Sequence, residues 1–258
     1  MIRRFNYTGR KRIPRSKISL SLNEVPGRKL AFDAFIDFVG IPLPATAKIY
    51  IEAYRKTYFR RFQCGTISTP AYQVNQILEG LDPDALVLFR VKVVDKKGRL
   101  LAIADRIRPR RTEEDQTDRQ SLLPVEFIDL GESIWHLDLE GDLPILQLNK
   151  RIENIKDIAR HDTFFLTLVY PEVVRQILYK VVIEEDYTDM EAEGEEEWMI
   201  DWLKFAVQIL GKNHLPPTGS SESIKQEKLK WLDDVVNAFC VNNAVLEKYM
   251  KEQKIGEP

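Results

Sequence analysis

Apolar and polar residues alternate singly along Ile18–Ser19–Leu20–Ser21–Leu22, the period of a strand with one face buried. The same texture recurs through the first hundred-odd residues. Leu30 to Val39, bounded by Gly27 and Gly40, predicts a second strand, and Lys48 to Phe62 a long third one, bent near Arg55–Thr57. Leu86 to Val94, the turn Asp95–Lys96–Lys97–Gly98 and Leu100 to Ile107 predict a hairpin. Glycine at the fourth turn position suits a type I turn closed by a left-handed residue. Pro70 to Leu81 predicts a short helix crossing between strands. Further strands are expected at Val125–Ile128, Ile134–Leu139 and Ile145–Leu148.

The period then changes. Val174, Ile177, Leu178, Val181 and Val182 recur at helical spacing behind Pro171, which a first helical turn tolerates. A second helix is predicted from about Glu195 to Leu210, where Trp198, Trp202, Phe205 and Ile209 share a face and Gly211 ends the run. A third is predicted from Ser223 to about Gln253. Arg111 to Ser121 holds no apolar residue and reads as an exposed loop, and Gly211 to Ser221 as a linker. The pattern predicts an α+β fold. An antiparallel β-sandwich or barrel-like module occupies about residues 1–150, and an α-helical region about 151–258.

Composition adds one strong feature. Net charge is −2, yet Met1 to Arg111 carries 23 basic and 9 acidic residues, and Thr112 to Pro258 carries 15 basic and 31 acidic ones. Such a division points either to a polyanion partner for the first part or to attraction between the two parts. Two distant cysteines, Cys64 and Cys240, exclude a disulfide framework and suit a reduced, cytoplasmic setting. No apolar run approaches the roughly 20 residues that span a bilayer, so no membrane role is expected.

Three surfaces are candidates for anion binding. On the predicted hairpin, Val87, Phe89, Val91 and Val93 share the core side with Leu101, Ile103 and Ile107. Arg90, Lys92, Arg106 and Arg108 then gather on the opposite face around Ala102 and Ala104. Like charges on neighbouring strands repel, so this face wants an anion, from outside or from the chain itself. In Lys48–Phe62, alternate positions give Lys48, Tyr50, Glu52, Tyr54, Lys56, Tyr58, Arg60 and Phe62, with Arg61 adjoining. Aromatic rings between cations are what base stacking and phosphate neutralisation require, though tyrosine is also ordinary on a solvent-facing strand. The segment Met1–Lys17, with Arg3, Arg4, Lys11 and Arg12 among its seven cations, is a candidate arm for a DNA or RNA backbone or for an acidic partner, though a solvated terminus is equally common.

Catalytic patterns are weaker. Pro83–Asp84 with Asp95–Lys96–Lys97 echoes a metal-dependent nuclease motif, but a continuous strand between the aspartates would hold them on the order of 35 Å apart. His161–Asp162 reads as a helix entry, and Asp138, Glu140 and Asp142 as a turn. No nucleotide-binding or nucleophile-elbow motif occurs, and no cofactor is implied. Trp198 and Trp202 read as core or, on an exposed helix, as a partner-binding hot spot. The expectation is a non-catalytic accessory subunit that binds other protein subunits, with nucleic acid as a further partner. The alternatives are a scaffold whose basic and acidic parts pair within or between chains, and a phosphate-substrate hydrolase or nuclease.

Overall fold

The computed structural model describes residues 10–27, 29–81, 86–110, 121–141, 143–190, 197–211 and 214–255. The chain forms two compact units, Arg4–Ser121 and Leu122–Pro258. Strands and helices segregate as an α+β fold, with sheets in the N-terminal part and helices in the C-terminal part.

The first unit is built from β1 (Lys11–Arg12), β2 (Ile18–Val25), β3 (Lys29–Ile36), β4 (Lys48–Arg55), β5 (Tyr58–Thr66), β6 (Gln73–Leu78), β7 (Leu88–Val94) and β8 (Leu100–Ile107). They make a five-stranded sheet in the order β1-β8-β7-β4-β5 and a three-stranded sheet in the order β2-β3-β6. All neighbours run antiparallel except β1 and β8, which are parallel. Both sheets turn their apolar sides to one core. Leu20, Leu22, Leu30 and Phe32 meet Ile49, Ile51, Phe89, Val91 and Val93, and Phe32 lies edge-on to Phe62 with ring centres 4.9 Å apart. Cys64 sits in this core, and burial pushes its thiol up to about 11.

Three expectations change here. Lys48–Phe62 is not one bent strand but the hairpin β4–β5, with Arg55 opposite Tyr58 across the two-residue turn Lys56–Thr57. Lys56 takes the left-handed conformation (φ 48°) that glycine or asparagine usually supplies, so the residue types did not announce the turn. Pro70–Leu81 is not a helix, because Gln73–Leu78 pairs with β3. Asn75 there has φ 51°, and its N–H donates to the Asp33 carboxylate (2.6 Å), a bulge no helix could contain.

The third change is one of register. The turn Asp95–Gly98 forms as read, with Gly98 at φ 78° and its N–H donating to the Asp95 carbonyl (3.0 Å). Val94 then pairs with Leu100 but Val93 with Ala102, so Leu101 is an extra residue. A one-residue shift exchanges the two faces of a strand. Ala102 and Ala104 therefore face the core, and Ile103 and Asp105 face outward. A second irregularity, at Arg106 (φ 54°), returns Ile107 to the core beside Phe89.

The second unit begins with β9 (Val125–Ile128), β10 (Trp135–Asp138) and β11 (Ile145–Asn149), where β11 is central, antiparallel to β10 and parallel to β9. Then follow α1 (Ile155–His161), α2 (Thr163–Leu168), α3 (Tyr170–Tyr179) with a π turn over Lys180–Glu184, α4 (Glu197–Leu210), α5 (Glu222–Asn242) and α6 (Val245–Ile255). The expected boundary near residue 150 follows the change from strand to helix. The compact units instead divide at Ser121/Leu122, because Leu137, Leu146 and Leu148 share one core with Val173, Ile177, Trp202, Leu203 and Val235. The third predicted helix is two, broken where Ala244 turns left-handed at φ 49°. Among the described residues no helix is long and apolar enough to cross a membrane.

Candidate functional site

The outward face of the five-stranded sheet carries a row of alternating charge. Pairing places Arg61 (β5) and Arg90 (β7) on either side of Glu52 (β4). The Leu101 register brings Asp105 (β8) to the far side of Arg90. Glu52 is completely buried. Its Oε1 accepts from Arg61 Nε at 2.8 Å and lies 2.7 Å from Nη2, and its Oε2 is 2.9 Å from Lys92 Nζ. Arg90 is farther from Oε2, at 3.7 Å, and commits its Nε to Asp105 Oδ1 at 2.6 Å. The Tyr54 hydroxyl also donates to that oxygen (3.0 Å), as does the Arg106 N–H (2.9 Å).

Aromatic rings back the guanidinium groups. Arg61 lies over Tyr50 at 5.5 Å and Phe59 at 5.6 Å, and Arg90 over Tyr54 at 4.6 Å. Such stacking restrains a planar cation and leaves its edge to hydrogen-bond. Burial alone would raise the Asp105 carboxyl, but the Arg90 hydrogen bond and charge outweigh it and hold it below the usual carboxylate range. Three cations face two carboxylates, leaving one positive charge in excess.

The sequence-predicted cations therefore separate. Arg61, Arg90 and Lys92 converge on Glu52, and Tyr54 joins them through Asp105. Arg60 does not join, because Ala53 is its cross-strand partner and its side chain leaves on the other side of β5. Arg106 lies on the second irregularity of β8, and Arg108 donates to the Ser121 carbonyl at 2.5 Å. Neither belongs to the row, contrary to the hairpin drawn without a bulge. Lys11 donates to the Pro42 carbonyl and Arg12 is exposed on β1. Arg3 and Arg4 lie outside the described residues. Sequence reasoning placed Glu52 on the right face but missed its part as hub. The signal was a lone acid inside Ile49–Ala53, where every other core-strand position is apolar or aromatic.

The tryptophans also separate. Trp202 is buried in the helical core against Phe205, with ring centres 5.4 Å apart, so it cannot serve as a surface contact. Trp198 is half-buried at the edge of the same core. Trp231 Nε1 donates to the His214 carbonyl (2.9 Å).

Of the catalytic patterns, Asp162 caps α2, accepting the Phe165 N–H at 2.7 Å. Asp162→Ala is expected to cost about 1 kcal/mol, the usual worth of such a cap, read as a shift of the urea midpoint. Asp95 is spent on its own turn, accepting from the N–H groups of Lys97 and Arg99. Asp84 and Asp142 lie outside the described residues. Among the described residues no cluster of three or more His, Cys, Asp or Glu could hold a metal ion.

A different surface is apolar. On the outward side of β3, Phe35 is 48% exposed and stacks on Tyr72, ring centres 4.8 Å apart, and Ile77 of β6 is exposed on the same face. No protein-family model, curated protein or solved structure matches the chain.

Proposed function

We propose that this chain is a non-catalytic accessory subunit that docks protein partners through the outward face of the small sheet β2-β3-β6. The stacked pair Phe35–Tyr72 carries this reading. Two large rings stacked on each other in solvent form the type of anchor that partner pockets bury, and a ring ordered before binding has less side-chain entropy to lose. Affinity purification from the native host tests it, comparing the wild type with Phe35→Ser/Tyr72→Ser. Proteins that co-purify with the wild type are expected to be lost from the variant. An unchanged set would remove the proposal.

A second reading, contact with nucleic-acid backbone, is favoured by the charge of the first unit. Residues 4–121 carry 23 basic against 13 acidic side chains. The row around Glu52 absorbs part of that excess, so phosphate contacts fall to its rim, where Arg61 remains 51% exposed, and to the exposed Arg12 and Arg60. Binding of single-stranded DNA or RNA should then weaken steeply with ionic strength. A flat titration at low salt would leave the cations a structural role only. The row itself supports the scaffold alternative in altered form: Arg61, Arg90 and Lys92 have carboxylate partners within their own unit.

A further inference from the structure

The helices of the second unit expose a different apolar surface. On α6, Leu246 is 71% exposed and Met250, four residues on, is 49% exposed. On α2, Phe164 and Leu168 repeat that spacing, and Leu168 is 60% exposed. The two helices are neighbours, joined where Phe164 meets the Tyr249 ring edge-on at 5.5 Å. Tyr249 and Val245 take the inner side of α6, so Leu246 and Met250 form a stripe that no described residue covers. Four large apolar side chains grouped on two adjacent helices exceed the scattered single residues normal on a monomer surface.

We propose that this α2–α6 face joins two copies of the chain, with α6 packed antiparallel against its symmetry mate. The placement of charge argues for a second copy. Glu247 and Lys251, both exposed, flank the stripe on one side and stand four residues apart. A two-fold axis crossing α6 at the level of Tyr249 keeps each residue on its own flank and reverses its height. Glu247 then faces Lys251 of the second copy, and the reciprocal pair forms by symmetry. At 1.5 Å per residue the same axis staggers the apolar side chains in the order Leu246, Met250 of the mate, Met250, Leu246 of the mate. They interdigitate rather than collide. A parallel two-fold would instead carry the flank residues to opposite sides of the seam, where Glu247 and Lys251 meet neither each other nor their own copies and no ion pair forms. The stripe and its flank therefore complement themselves in one orientation only.

Sedimentation equilibrium of the full chain, run up to roughly 200 µM, tests this by its monomer–dimer constant. The wild type is expected to dimerise, and Leu246→Asp/Met250→Asp to remain monomeric with an unchanged helical circular dichroism spectrum. Glu247→Lys sets lysine against lysine twice and should weaken the dimer about tenfold, an effect that shrinks in high salt. Adding Lys251→Glu to that variant recreates both pairs with the charges exchanged and should restore wild-type affinity. A wild type that stays monomeric at the highest concentration overturns the proposal, whatever else the face binds. So does a dimer that Leu246→Asp/Met250→Asp leaves intact, or a double charge exchange that fails to restore what the single one lost.

Discussion

Glu52→Ala is expected to lower the unfolding free energy by roughly 3 kcal/mol, measured as a fall in urea midpoint at unchanged slope. The carboxylate is fully buried, and removing it leaves Arg61, Arg90 and Lys92 facing one another without the charge they share. Breaking a buried ion pair from one side costs about 3–5 kcal/mol. The lower end applies because the cations keep water: Arg90 and Lys92 are about a quarter exposed and Arg61 about half. The asymmetry is the sharper test. Arg61→Ala should cost only about 1 kcal/mol, since Lys92 still holds Glu52 and solvent had already claimed much of the guanidinium. Equal losses from the two variants would mean that Glu52 is not the hub.

Phe32→Ala is the other large effect, a loss of roughly 3–5 kcal/mol by the same measurement. Phe32 is wholly buried between the two sheets, with Phe62 at 4.9 Å and Phe89 at 5.1 Å, so truncation empties space that three strands cannot close together. Three residues along the strand, Phe35 points outward and touches only Tyr72 among described rings. Phe35→Ala should cost less than about 1.5 kcal/mol, the worth of one aromatic pair. The contrast separates a ring kept for packing from a ring left open to a partner.

Much of this architecture was legible because local chemistry and tertiary structure agree. Asp95–Gly98 turned as its glycine required, Asp162 capped a helix, and the spacing of Val174, Ile177, Leu178, Val181 and Val182 marked the buried stripe of the helix that packs on α5. What escaped depends on single residues in unusual conformations. Leu101 enters the ladder as an extra residue that no side-chain preference signals, yet it decides that Asp105 rather than Ala104 lies beside Arg90. Lys56 makes a tight turn without glycine, so β5 looked like a continuation of β4 and Arg60 took the place that belongs to Arg61. Once both are placed, two of the four cations predicted to want an anion, Arg90 and Lys92, join Arg61 in a row that contains its own carboxylates.

The parallel strand β1 has a bearing on the order of assembly. Its Lys11 and Arg12 pair with Ala102 and Ile103, and the adjoining Ile13, wholly buried, donates its N–H to the Ile103 carbonyl at 3.0 Å. This segment precedes its docking site by about ninety residues, so it stays unpaired until they are made and then closes a loop of that length. On an emerging nascent chain, the outer margin of β8 stays open until then. Whatever guards that margin during synthesis protects the folding of the whole sheet.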